Sequence, residues 1–303
     1  MVFADLKNDF VFRRIFAKHP DLLRGLLNDL LDRRDDRAIE AIEYLPSEQL
    51  PLVVGAKLSI LDVRCKDRAG TTFVVEMQLL HVPGFVNRVV YNASKAYADQ
   101  LKAGEPFTKL ADVVAVSICD FVLWPDGEQD KNNLPRVPML SRWSTREETS
   151  GHRGLLQVQY AFLELPKLNR ARPQTPGADL WAWLFVHAPE LTEVPADLPP
   201  GPYREAVELA NESTFSAAER DAYRRVIDEI QQAREYGAAQ RAEGKNEGKI
   251  ETRRETLLRL LSRAGIALAA DEQARIEASM DPDILDRWID NVFGATSAAD
   301  VLK

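Results

Sequence analysis

Apolar residues return at helical spacing near the start of the chain. In DLKNDFVFRRIFAK (5–18) they fall at 6, 10, 12, 15 and 16, which predicts a helix with Asp5 as its N-cap. After Pro20, DLLRGLLNDLL (21–31) predicts a second helix, with leucines at 22, 23, 26, 27, 30 and 31. AIEAIEYLP (38–46) predicts a strand. Two apolar runs follow, about 57–65 and 71–80, as strands on either side of a polar, glycine-containing turn. GFVNRVVYNASKAYADQLKAG (84–104) predicts a helix with an apolar stripe of Val86, Val90, Ala93, Tyr97 and Leu101 and with Gly104 as its stop. Its second stripe is polar: Arg88, Tyr91 or Asn92, and Lys95.

DVVAVSICDFVLW (112–124) is a near-continuous β-branched run, the pattern of a buried strand. LLQVQYAFLELP (155–166) alternates and reads as a further strand, and ADLWAWLFVHA (178–188) as a short helix. That order predicts a mixed α/β domain over residues 1–190. A proline-rich break and a charged helical connector follow, 191–250. Glycines at 244 and 248 each cost a helix about 1 kcal/mol relative to alanine, so RAEGKNEGK (241–249) is a frayed helix or a hinge. Residues 251–303 form a small helical module, with Ile284, Leu285, Trp288, Ile289 and Val292 at core spacing.

Composition narrows the class. Apolar content of 45% and charged content of 28% in 303 residues suit a soluble globular protein with a sizeable core. Cys65 and Cys119 lie in apolar runs and read as reduced core residues of a cytoplasmic protein. The four histidines lack zinc-ligand spacing. The N-terminal residues lack a signal-peptide pattern, and no run is long enough for a membrane span. The net charge of −8 argues mildly against nucleic acid. From Lys57 to Lys109, however, eight basic residues stand against five acidic ones, so a basic face remains open.

The chemistry gathers in LDVRCKDRAGTTFVVEMQ (61–78). Side chains alternate along a strand, so Glu76 and Gln78 share a face. Arg68-Ala69-Gly70 suits a three-residue hairpin loop with glycine at the left-handed position. That loop pairs Asp67 with Thr71 and sets Asp62 opposite Glu76. A five-residue loop also keeps both on one face, whereas two or four residues part them. Two neighbouring carboxylates repel, and a hard divalent cation relieves the repulsion. A solvated hairpin whose acids pair with Arg64 or Lys66 is the other reading of the same spacing. Gln78 can orient a water or a phosphate oxygen but cannot act as a general base.

The D…ExQ hairpin, then a helix, then a buried strand, resembles the PD-(D/E)XK nuclease superfamily. Within it the chain resembles the Rpn family of recombination-promoting nucleases, also described as transposases. KNDFVFRRIF (7–16), KLSILDVRCKDRAGTTFVVEMQ (57–78), FVNRVVYNASKAYADQLKAG (85–104), VSICDFVLW (116–124) and LELPK (163–167) carry the likeness. The resemblance implies an α/β nuclease core, a mixed central sheet flanked by helices, with an all-helical C-terminal extension. It implies a DNA endonuclease using Mg²⁺ or another divalent cation such as Mn²⁺. Asp62 and Glu76 would be its metal ligands, joined by the backbone carbonyl of Met77, and Asp9 would complete the acidic site. Gln78 stands where most of the superfamily has lysine. Arg88, Tyr91 and Lys95 would contact DNA. The entry His81-Val82-Pro83-Gly84 and Val90 before Tyr91 depart from the family pattern and bear on substrate positioning. Cutting both strands of a duplex leaves room for a homodimer. A DNA-binding protein that keeps the fold without the activity is the alternative.

Overall fold

Asn8 starts the first helix. Its buried side chain accepts hydrogen bonds from the N–H groups of Phe10 and Val11, capping α1 (Asp9–Phe16). The helix therefore begins later than the apolar spacing suggested, and Asp5 is not its cap. Asp5 instead accepts from Lys7 N–H in the turn ahead. Pro20 occupies the first turn of α2 (Pro20–Leu31), where its missing N–H costs nothing. Leu22, Leu23, Leu26, Leu27 and Leu30 of α2 are all buried, each contributing about 1.5–3 kcal/mol by leaving water.

This computed structural model describes residues 1–49, 59–125, 136–168, 171, 173 and 175–303. Positions 57 and 58 of the expected strand lie outside the described residues. The strands are β1 (Ile42–Leu45), β2 (Glu48–Gln49), β3 (Ser59–Ile60), β4 (Val63–Asp67), β5 (Thr72–Gln78), β6 (Val113–Cys119), β7 (Leu140–Trp143) and β8 (Val158–Glu164). Six of them form one sheet in the order β1-β4-β5-β6-β8-β7, with β5, β6 and β8 mutually parallel. β2 and β3 pair separately. The short edge strand β7 was not expected: its residues, Leu-Ser-Arg-Trp, lack the apolar run or sustained alternation that marks a strand.

The hairpin register agrees with the three-residue loop. Val63 pairs with Val75 and Lys66 with Thr72, Asp67 N–H donates to Thr71 O at 3.0 Å, and Gly70 has φ +91°. Asp62 itself is not in the strand. Leu61 N–H donates to Ser47 O, which draws the chain toward the β2–β3 pair. Asp62 occupies the bend just before β4.

Helix α3 (Phe85–Ala98) covers one face of the sheet. It ends at Ala98, earlier than expected, and Gly104 (φ +87°) belongs to a separate turn. Its buried stripe is Phe85, Val89, Asn92, Ala93 and Ala96. Val86 and Val90 are exposed, contrary to the periodic reading. A polar residue, Asn92, took a core position because it has a buried partner. The other face packs on α1, α2, α4 (Ala178–His187) and α5 (Pro202–Leu209). Cys65 and Cys119 are buried and free, one on each face.

The chain divides into two compact units, Met1–Ile230 and Gln231–Lys303. Helix α6 (Ala217–Arg263) begins in the first and ends in the second, and it is unbroken at Gly244 and Gly248. In the second unit, α7 (Ala270–Ala278), α8 (Pro282–Asn291) and α9 (Ala298–Val301) bury Ile276, Leu285, Trp288 and Val301 with Leu257 and Leu261 of α6.

Candidate active site

The C-terminal end of β5 carries the chemistry. Glu76 and Gln78 point to the α3 face, and the α3 side chains that meet them are one helical turn apart. Asn92 Nδ2 donates to Glu76 Oε1 at 2.8 Å, and Arg88 Nη2 lies 3.8 Å from Glu76 Oε2. Arg88 Nη2 also donates to Gln78 Oε1, while Gln78 Nε2 donates to Leu80 O at 3.0 Å. Both ends of the Gln78 amide are therefore engaged.

Asp62 reaches the same place from the bend before β4. Its Oδ2 accepts Met77 N–H at 2.7 Å, standing in for a backbone carbonyl beside β5. In a strand, the N–H and C=O of one residue point to the same side. The carbonyl of Gln78 turns to the β6 side, where it accepts Asp120 N–H, so the carbonyl of Met77 faces Asp62. Arg13 Nη2 donates to Asp62 Oδ1 at 2.8 Å, and its Nε lies 3.4 Å from Asp9 Oδ1. Asp9 and Arg13 sit one turn apart on α1.

All of these groups line one cleft of about 980 Å³, with Tyr91 and Asn87 of α3 and Val226, Glu229 and Ile230 of α6. Of the candidates chosen from sequence, Asp9, Asp62, Glu76, Met77, Gln78, Arg88 and Tyr91 line the cleft. Lys95, one turn further along α3, is outside the lining. Arg13, Asn92 and Glu229 also take part, though nothing in the sequence reading assigned them to the site. The signal for Asn92 was its i+4 spacing from Arg88. Arg13 carried the same spacing from Asp9, within a helix whose apolar positions drew the reading.

The electrostatics are those of crowded acids. Burial raises the Glu76 carboxyl above its ordinary range; Arg88 and the Asn92 hydrogen bond oppose this, and Asp62 adds to it. Asp9 is pushed up to about 7, first by burial and then by the charge and hydrogen bond of Asp62, with Arg13 opposing. Burial works against the Arg13 charge, but its bond to Asp62 and the charges of Asp9 and Asp62 outweigh it and raise the group.

The family model described as PD-(D/E)XK nuclease family transposase matches residues 6–236. The chain belongs to this family. Membership indicates a nuclease-like function, and nucleases of this kind generally use divalent metal ions. No curated protein and no solved structure gave a significant match. Among the described residues no helix is long and apolar enough to cross a membrane.

The donors fit a hard cation of this family. Two carboxylates and a peptide carbonyl offer oxygen alone, and magnesium typically takes one or two carboxylates and keeps several waters. Among the described residues no group of three or more His, Cys, Asp or Glu side chains is placed to hold a metal ion, so side chains alone would supply at most two ligands. Arg13 holds Asp62 Oδ1, so a cation bound there competes with its guanidinium.

Proposed function

We propose that the protein is a Mg²⁺-dependent, cytoplasmic DNA endonuclease that hydrolyses phosphodiester bonds with little sequence preference and so promotes recombination. The observation that carries this reading is the convergence of Asp62, Glu76 and the Met77 backbone on one cleft wall, with Arg88 beside them. Asp62, Glu76 and the Met77 carbonyl would hold the cation. When bound, such a cation lowers the pKa of a coordinated water and offsets charge developing on a phosphoryl oxygen.

The protein's own groups supply position. Arg88 presents a guanidinium, a planar donor matched to a phosphate. Asn92 fixes the Glu76 carboxylate, and Met77 N–H fixes that of Asp62. Gln78 cannot take a proton from water; its amide orients Arg88. Tyr91, 43% exposed on the cleft wall, offers a surface for sugar or base. No base-reading module marks the chain, which supports tolerance of sequence. Cleavage of both strands by one site per chain would be met by a homodimer.

The second reading is a DNA-binding protein with a slow or silent site. It is favoured by Gln78, whose amide is held at both ends where most of the superfamily has a free ammonium. Supercoiled plasmid incubated with Mg²⁺ separates the two. Nicking is expected from the native protein and from neither Asp62→Ala nor Glu76→Ala. Nicking that persists in both variants rejects the site, and binding without nicking by the native protein favours the second reading.

A further inference from the structure

A second concavity, of about 490 Å³, opens at the other end of the sheet. It is lined by the first residues of the parallel strands, Val114 of β6 and Gln159 and Tyr160 of β8, and by the C-terminus of α2. From Glu76, this place is roughly 10 Å back along the strands and roughly 10 Å across them, at about 3.3 Å per residue and 4.8 Å per strand. It is not part of the cleft that holds Asp62 and Glu76.

Its lining contains four arginines, Arg33, Arg37, Arg142 and Arg153, and one carboxylate, Asp32. Two of the arginines are anchored. Arg142 Nε donates to Leu30 O at 2.8 Å, which leaves its Nη groups for another acceptor. Arg33 lies over the ring of buried Phe73, 6.0 Å from its centroid. The side chains of Arg37 and Arg153 are exposed, and neither has a hydrogen bond or ion pair among the described residues. None of the four pairs with a carboxylate there, although the chain carries a net charge of −8 and has acids in excess. An acidic chain that gathers four unpaired guanidiniums in one hollow has concentrated cost without an internal partner to offset it.

We infer that this arginine-lined hollow binds backbone phosphates of DNA at a place separate from the cleavage site. Guanidiniums suit phosphate oxygens, being always charged and forked. Two anchored arginines would set the position of one phosphate, and the two free ones would close on its neighbours. The choice of DNA rests on the nuclease reading; the site itself rests on the arginines. Such a site would hold a flanking stretch of the same strand, or a second DNA segment, while the first is cut.

Fluorescence anisotropy with a labelled DNA duplex, in EDTA so that nothing is cleaved, tests this. Arg37→Glu with Arg153→Glu is the principal variant, since both side chains are exposed and the fold is not at risk. Its affinity is expected to fall about tenfold or more, and the slope of log K against log salt to shrink by about 2, one unit for each phosphate no longer held. Reversing Arg259 and Arg263, exposed residues of α6, should leave the slope unchanged. Native affinity and slope in the principal variant, or an equal loss in the Arg259/Arg263 control, overturns the inference. So does calorimetric saturation of the hollow by inorganic phosphate or a nucleoside monophosphate that duplex DNA fails to displace. Absence of Mg²⁺-dependent nicking by the native protein, with the binding difference intact, supports this site while removing the hydrolytic reading.

Discussion

Asn92 shows how one amide can decide the state of a carboxylate. It is buried on α3, and its Nδ2 holds Glu76 Oε1, a group that burial would otherwise push toward its neutral form. Removing such a partner usually costs 10–100-fold in metal affinity or activity. Asn92→Ala is therefore expected to weaken cation binding in calorimetry by about 10–100-fold while the protein stays folded, because alanine is the best helix former and already stands at the buried positions 93 and 96 of the same helix. Asn92→Asp should be worse than alanine, since a second negative charge would face Glu76. An unchanged affinity in Asn92→Ala would remove the assigned role. This residue was half legible beforehand. Its spacing from Arg88 put it beside Tyr91 as a polar candidate, but apolar periodicity assigns every asparagine to the solvent side. Arg13 was hidden for the same kind of reason: charge on a helix does not say which distant residue will meet it, here Asp62.

At the scale of elements, Asp29 ties three helices together. Its Oδ2 accepts from Trp181 Nε1 of α4 at 2.9 Å and from the hydroxyl of Tyr203 of α5, while Oδ1 pairs with Arg34 Nη2 at 3.0 Å. The Tyr203 oxygen in turn accepts Gly177 N–H at the start of α4. Burial and the bond to Asp29 hold the Tyr203 phenol well above its ordinary range, so it remains a donor at neutral pH. Asp29→Ala leaves a buried indole N–H and a buried hydroxyl without their acceptor, at about 3 kcal/mol in all. For a domain of this size that lowers Tm by about 6–12 °C. Asp29→Asn keeps an acceptor oxygen and should lose less than half as much. Equal losses would show that the network matters by charge alone. The bonds from Asp29 to Trp181 and Tyr203 could not be read from spacing, because they join positions more than 150 apart in the chain. The hairpin was legible for the opposite reason. Its register follows from three loop residues and the alternation of strands, both local; Asp62, in the bend just before the paired residues, instead sets its carboxylate on Met77 N–H. The buried stripe of α3 fell between these cases: valines at 86 and 90 recur at helical spacing but lie outside both the buried stripe and the cleft lining, and they are exposed.

Over the whole molecule, the open question is whether the glycines of α6 are a hinge or a tolerated weakness. The helix runs for 47 residues and is polar over most of its length, so little packing holds its middle. Nothing lies within 4 Å of a Cβ built at Gly244 or Gly248, and neither has a positive φ. Close approach and backbone strain therefore give no reason for glycine at either place. Each replacement by alanine should strengthen the helix by about 1 kcal/mol. Gly244→Ala with Gly248→Ala is expected to raise helical circular dichroism and slow proteolysis within residues 241–249, in an otherwise unchanged protein. If bending at these positions serves DNA cleavage, the same variant loses nicking while Mg²⁺ affinity and duplex affinity at low salt stay native. If the glycines are neutral, nicking is retained along with the added helix. A fall in helicity would contradict both outcomes, because it requires a close neighbour or a left-handed backbone at a site where the structure has neither.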